Sequence, residues 1–287
     1  MRGADRFTDV PGLTVGHASI EHASTGTTVV LPTRPAVAGV DVRGGAPGTR
    51  DTDALRPSCL IERVHGFVLS GGSVFGLAAA DGATCWLAGR GIGLHLALTV
   101  PVVPSAVIYD LANGGEKSWG SDPPYRQLGI AACQAAGTAG DVSGRVGAGR
   151  GATAGSRPGG VGTASARTQD WVVGALIVVN SFGEVYEGEP PSGPVPLPKL
   201  PIAGTSTTIG IVATDAPLTK SQCQRLAMMA HDGLARSIRP IHSMFDGDTI
   251  FACSTAPAAT PVTDLTLSVL GTLAADCTMR AVRRAIL

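Results

Sequence analysis

The chain has 287 residues, 44% of them hydrophobic and 15% charged, enough apolar side chain for a large core and too little charge for a disordered chain. Its 22 basic and 22 acidic side chains cancel to a formal net charge of zero, which argues against a general nucleic-acid or anionic-membrane binder, since either needs an excess of Lys and Arg. Six cysteines, Cys59, Cys85, Cys133, Cys223, Cys253 and Cys277, show no C-x-x-C spacing, so buried reduced thiols are expected rather than a zinc knuckle or a redox pair.

From the N-terminus, MRGADRFTDVPGLTVGHAS lacks the apolar core of a signal peptide. Alternation and β-branched content predict strands at 27–32, 38–44 and 65–70, then a helix from Ser73 to Gly89. LHLALTVPVVPSAVIY, broken by two prolines, falls short of the ~18 apolar residues of a spanning helix, and a cytoplasmic protein is expected. A strand at 106–111 and a helix from Tyr125 to Ala136 follow, then strands at 170–180, 184–188 and 207–214. Helices from Thr219 to Ser237 and from Asp264 to Ile286 flank a last strand at 249–254. Runs of strands among a few long helices predict a layered α/β architecture without the strict alternation of a doubly wound fold. Glycine, at 39 residues, has about twice its usual share, which suits tight turns and close backbone approach between layers.

No internal repeat is found, and one domain over 1–287 is expected. The single break is EGEPPSGPVPLPKLP, 187–201, whose six prolines exclude helix and central sheet. This proline-rich loop, reaching to 204, runs into four consecutive hydroxyl residues, Thr205, Ser206, Thr207 and Thr208. They are either loop punctuation or a nucleophile at a strand end.

Other stretches carry chemistry at the level of pattern. SGGSVFG, 70–76, follows a strand and opens a helix; Gly71, Gly72 and Ser73 offer a backbone-amide pocket at a helix N-terminus, or serve close packing of helix on sheet. GAGRGA, 147–152, fits a dinucleotide fingerprint in letters but lacks the strand before and the helix after it. In FDGDTIF, Asp246 and Asp248 are spaced to share one face of an extended segment, able to bind a metal, orient an amine or close a turn. The histidines, His17, His22, His65, His95, His231 and His242, form no metal or triad pattern and read as structural.

Taken in order, DVPGLTVGH, GTTVVL, DVRGGAPGTRDTD, LSGGSVFGL, AVIYDL, GRVGAGRGATAG, VVNSFGEVY, TSTTIGIVATDAPL and RPIHSMFDGDTIFA give the chain, over nearly its whole length, a resemblance to a known family. The sequence resembles the self-cleaving DmpA-type aminopeptidases and nylon-oligomer hydrolases, which behave as N-terminal-nucleophile enzymes. The resemblance implies an α-β-β-α sandwich, a cut between Ser206 and Thr207 that divides the chain into 1–206 and 207–287, and Thr207 as the nucleophile. It places Tyr109, Asn180, Asp246 and Asp248 on active-site positions. The amides of Gly71, Gly72 and Ser73 would assist at the oxyanion. Two Asp residues with a Thr nucleophile look more like the nylon-oligomer hydrolases than the DmpA aminopeptidase.

Where the family often has Lys, Ser156 and then Arg157 stand here; Arg157 would keep the charge but not move a proton. The resemblance further implies a small peptide or amide substrate, no metal or organic cofactor, no nucleic-acid or membrane partner, and a homotetramer. Two alternatives stay open at this level: an acyltransferase of the ornithine acetyltransferase type, and an inactive homologue that only binds.

Overall fold

Strands buried on both faces decide the architecture. All nine residues of Val172–Asn180 and all eight of Thr207–Thr214 are buried, so both must lie inside a sheet covered on each side. A computed structural model, which describes residues 5–195, 205–257 and 259–286, places them at the centre of a six-stranded sheet. Its spatial order is Gly160–Arg167, Val172–Asn180, Thr207–Thr214, Thr249–Ser254, Ala36–Val42 and Arg63–Val64. A five-stranded sheet runs Leu13–Ile20, Thr25–Pro32, Phe67–Ser70, Ser105–Val107 and Thr49–Arg50.

The period of two along each strand splits its side chains between two cores. Leu176, Ile209, Ile211 and Phe251 point from the six-stranded sheet into the space between the sheets, where they meet Val30, Phe67, Leu69 and Ile108. The rings of Phe67 and Phe251 lie 5.6 Å apart. Their neighbours Ile177, Val212 and Ile250 face outward, against α3 (Lys220–Ala235) and α4 (Asp264–Ala285). Helices α1 (Ala78–Ala88) and α2 (Tyr125–Gln134) cover the outer face of the five-stranded sheet through Ala83, Leu87 and Leu128. Four layers, helix, sheet, sheet, helix, result.

The helices form where their spacing predicts. The first opens as a 3-10 turn, Ser73–Leu77, before α1. Helix α3 starts at a reciprocal cap: the Gln222 N–H donates to Thr219 Oγ1 at 3.1 Å, and the Thr219 N–H donates to Gln222 Oε1 at 2.9 Å. Helix α4 is long and apolar enough by composition to cross a membrane, but half of that window is buried inside the protein, in its packing on α3 and two strands. All six cysteines are free thiols.

Several expectations are corrected. The strand expected at 106–111 is only Ser105–Val107. The strand at 38–44 ends at Val42, releasing Arg43 and Gly44 from the sheet. That at 184–188 shrinks to Glu184–Val185, paired with Ile238–Arg239. Of the proline-rich loop, residues 196–204 lie outside the described residues.

Two long strands escape the sequence signal, Leu13–Ile20 and Gly160–Arg167. The second, GVGTASAR, has almost none of the β-branched and aromatic content that marks a strand. Its small residues serve contact instead. A Cβ at Gly162 would lie 1.8 Å from the carbonyl oxygen of Ala281, so bare backbone is what lets α4 seat on the sheet. Gly162→Ala should therefore cost about 1–3 kcal/mol in denaturant unfolding. Gly137→Ala, where an added methyl meets nothing within 4 Å among the described residues, should leave stability unchanged.

Candidate active site at one end of the six-stranded sheet

Strand register gathers the candidates. Val172–Asn180 runs antiparallel to Thr207–Thr214 with Asn180 opposite Thr207. On the other side Thr249–Ser254 runs parallel, with Ile209 opposite Thr249. The end of the first strand, the start of the second and the FDGD loop before the third therefore meet at one sheet end. The antiparallel strand Ala36–Val42, with Val42 opposite Thr249, delivers the RGGA segment to the same place.

Thr207 is buried, 2% exposed. Its hydroxyl donates to the carbonyl oxygen of Ser206 at 2.5 Å. The same oxygen accepts the Gly247 N–H at 3.0 Å. Only glycine fits between the two aspartates: a Cβ at Gly247 would lie 2.8 Å from Thr207 Oγ1 and 2.8 Å from the Ala46 carbonyl oxygen. The Ser206 carbonyl thus has a hydroxyl beside it and a fixed main-chain donor on it, the arrangement that stabilises a developing oxyanion.

Both aspartates are fully buried, and both are fully engaged. Asp246 Oδ2 accepts the Ser243 N–H at 2.9 Å and the Ser243 hydroxyl at 2.5 Å, and its Oδ1 accepts the Phe182 N–H at 3.4 Å. Asp248 Oδ1 accepts the Thr208 N–H at 2.7 Å, while Oδ2 accepts the main-chain N–H and ring Nδ1 of His242 at 3.0 and 2.8 Å. Asp248 thus grips the residue next to Thr207. Burial, with the charge of Asp248 added, raises the pKa of Asp246 against the opposing pull of the Ser243 donors. Among the described residues no group of three His, Cys, Asp or Glu side chains could hold a metal ion.

Asn180, 1% exposed, donates from Nδ2 to the Tyr109 carbonyl at 3.1 Å. Its Oδ1 accepts the Thr153 N–H at 2.9 Å and Asn113 Nδ2 at 3.2 Å. Tyr109 therefore joins this network through its main chain. Behind it, buried Asp110 accepts the Gly72 N–H at 2.8 Å and the Thr25 hydroxyl at 2.7 Å. Burial pushes the Asp110 carboxyl up, against those two bonds.

These bonds correct the expected amide pocket. The N–H of Gly71 donates to the Gly26 carbonyl, that of Gly72 to Asp110 and that of Ser73 to the Ile108 carbonyl. All three are used within the fold, and a Cβ at Gly71 would stand 2.1 Å from Asp110 Oδ2. Packing, the other reading of SGGS, describes the loop. Arg157 is likewise used within the fold, in the hairpin that begins at Thr153: its Nη2 donates to the Val185 carbonyl at 2.6 Å, and the Ser156 N–H donates to Glu184 Oε1 at 2.8 Å. The GAGRGA amides are occupied too, Gly147 N–H on Ser19 Oγ and Ala148 N–H on Thr28 Oγ1, so no phosphate cradle forms.

Sequence reasoning missed Gly247, Ser243, His242, Asn113 and Thr153. The bare residue between two aspartates was a visible hint of close approach. The RGGA segment has a task that no pattern marks: the N–H groups of Arg43, Gly45 and Ala46 donate to the carbonyls of Asp248, Ser243 and Asp246, bracing the loop from outside.

Known proteins match this chain along its length. The sequence model for Peptidase family S58 matches residues 5–287. An uncharacterized aminopeptidase of Mycobacterium tuberculosis is 44% identical, over 98% of this chain and 93% of its own. A 6-aminohexanoate-oligomer endohydrolase of Kocuria sp. is 30% identical, over 89% of this chain and 76% of its own. A beta-aminopeptidase of Burkholderia sp. superposes with a TM-score of 0.77 at 26% identity, covering 98% of this chain and 86% of its own. The L-aminopeptidase D-Ala-esterase/amidase of Ochrobactrum anthropi, a variant of the Ntn hydrolase fold, superposes at 0.76 with 22% identity, over 98% of this chain and 85% of its own, a likeness of fold.

The raised pKa of Asp246 means that the folded chain binds this proton more tightly than the unfolded chain. Its ionised form therefore costs stability at neutral pH, and that cost is relieved as pH falls through the folded-state pKa. Ser243→Ala, which removes one charge-assisted donor, should lose roughly 1.5–3 kcal/mol at neutral pH. Denaturant unfolding at descending pH should show that loss shrinking as Asp246 protonates.

Proposed function

The chain belongs to Peptidase family S58 and hydrolyses amide bonds, and on that premise we propose that its nucleophile is Thr207, freed as an N-terminal residue by self-cleavage after Ser206. The observation that carries the reading is the Ser206 carbonyl oxygen, 2.5 Å from the Thr207 hydroxyl and 3.0 Å from the Gly247 nitrogen.

In the first reaction Thr207 Oγ1 adds to the Ser206 carbonyl carbon while the Gly247 N–H stabilises the charge forming on oxygen. Collapse breaks the Ser206–Thr207 C–N bond, the nitrogen takes a proton, and an ester joins Ser206 to Thr207 Oγ1. Water hydrolyses that ester, releasing the Ser206 carboxylate and an N-terminal Thr207. Residues 1–206 and 207–287 then remain together as two chains of one fold, since Thr207–Thr214 lies inside the sheet.

The freed α-amine has a reference pKa of about 7.7–8.0, close to neutral pH as a general base requires. It takes the Oγ1 proton as that oxygen attacks the substrate amide. The Gly247 N–H, relieved of Ser206, receives the substrate carbonyl, with the second Nδ2 hydrogen of Asn180 beside it. Asp248 fixes the neighbouring Thr208 amide, and Asp246 anchors the loop that carries Gly247. No step passes through Arg157, so a Lys at that point is not needed for this route.

As substrates we propose small peptides with a free amino end and short amide oligomers, including β- and longer-spaced amino acid units. The similarity to a beta-aminopeptidase and a 6-aminohexanoate-oligomer endohydrolase supports that range.

Intact mass and N-terminal sequencing should find two fragments that part between Ser206 and Thr207. Thr207→Ala should stay one chain and hydrolyse neither a β-aminoacyl anilide nor a 6-aminohexanoate oligomer; full activity in that uncut variant would overturn the nucleophile. Gly247→Ala displaces one oxyanion donor and should slow both scission and turnover roughly 100- to 1,000-fold.

A further inference from the structure

His242 has no role in the chemistry above, yet its backbone is held in a conformation that few residues other than glycine adopt. Its φ is +57°, in the left-handed region, where an ordinary side chain stays only if its surroundings over-determine it. The surroundings here are one carboxylate. The main-chain N–H and ring Nδ1 of His242 both converge on Asp248 Oδ2, at 3.0 and 2.8 Å. Asp248 is fully buried, and an ionised carboxylate only accepts hydrogen bonds. Nδ1 therefore carries the hydrogen.

The ring is fixed from behind by a second histidine. His231, on α3 and 1% exposed, meets it edge to face with ring centroids 4.8 Å apart at 71°. His231 is itself oriented by its Nε2, 3.1 Å from the main-chain carbonyl of Asp41, which that nitrogen serves as donor. Burial and the neighbouring His242 push the His231 pKa down to about 4, so it is neutral where a peptidase with an amine base works. The remaining ring nitrogens, Nδ1 of His231 and Nε2 of His242, are buried with no hydrogen-bond partner among the described residues, so none of these would turn the pair away from Asp248.

A continuous set of contacts thus runs from the Asp41 carbonyl through His231 and His242 to Asp248, and from Asp248 Oδ1 to the Thr208 N–H at 2.7 Å. Thr208 follows the proposed nucleophile directly. We propose that His242 is a positioning residue for the reaction: its Nδ1–H locks the Asp248 carboxylate in the rotamer that holds the Thr208 amide, and so sets the approach of Thr207 Oγ1 to the carbonyl it attacks. This inference rests on Thr207 being the nucleophile. His231 serves as the backstop that keeps the His242 ring on Asp248.

Two replacements separate the donor from the backbone. Asn and Gly both accept a φ of +57°, but only Asn brings an N–H near the place of Nδ1–H. His242→Gly should lower kcat roughly 10- to 100-fold, as a misplaced reacting group does, with KM within about twofold, and should slow scission at Ser206–Thr207 by a similar factor. His242→Asn should recover most of both rates. Wild-type kcat and scission in His242→Gly would overturn the proposal. So would a His242→Asn chain as impaired as His242→Gly, which would make the ring's packing the whole effect.

A readout independent of turnover is available in the uncut Thr207→Ala chain. There a hydrogen-bonded Nδ1–H proton resonance of His242 should persist at neutral pH and vanish in the double variant with His242→Gly. Full hydrolysis by uncut Thr207→Ala would sink the nucleophile instead, so the two failures are told apart.

Discussion

The carbonyl oxygen of Ser206 accepts two donors from different parts of the chain, the hydroxyl of the next residue and the N–H of Gly247, and the rest of the site follows from that convergence. It requires Thr207–Thr214 and Thr249–Ser254 to lie side by side and parallel, so that both begin at one sheet end. Parallel neighbours need a long crossover, and α3 is that crossover. It also requires a residue without a side chain at 247, because any Cβ there would occupy the space of Thr207 Oγ1. A layered fold with a bare strand under α4 and small residues throughout its cores is the scaffold that tolerates such close approach.

Burying two carboxylates one residue apart is costly, and the loop is built around offsetting it. Every buried charge needs hydrogen bonds in place of water. Asp246 takes them from Ser243 and Phe182, and Asp248 from Thr208 and His242. Burial still raises the pKa of Asp246. Asp110 repeats the pattern in the facing sheet with Gly72 and Thr25. It ties the SGGS loop to the segment bearing Tyr109, whose carbonyl accepts from Asn180. Three buried carboxylates, Asp246, Asp248 and Asp110, are thus linked to this end of the sheet, and the aliphatic cores elsewhere carry the stability that they consume.

Membership of Peptidase family S58 makes the chain an amide hydrolase. The peptidase match favours hydrolysis over the acyl transfer that a similar nucleophile also permits. Arg157 gives its Nη2 to the Val185 carbonyl. The proposed route draws on a hydroxyl, an amine, main-chain donors and Asn180 Nδ2, and takes nothing from Arg157.

Much was determined by the sequence alone. Helices α1 to α4 and the central strands follow from local periodicity, which needs no knowledge of partners. Thr207, Asn180, Tyr109, Asp246 and Asp248 stand out as candidates because ordered motifs survive as letters, and strand register brings them toward one sheet end. Gly247 as donor, the service of His242 to Asp248, and the Asn113–Asn180 contact spanning 67 positions were decided only by tertiary structure. So was the use of the Gly71, Gly72 and Ser73 amides, which pattern left open and packing closed. The reason is physical: a side chain's period is a property of its own segment, whereas a hydrogen-bond partner is set by strand register between distant segments, and register appears only once the sheet has formed.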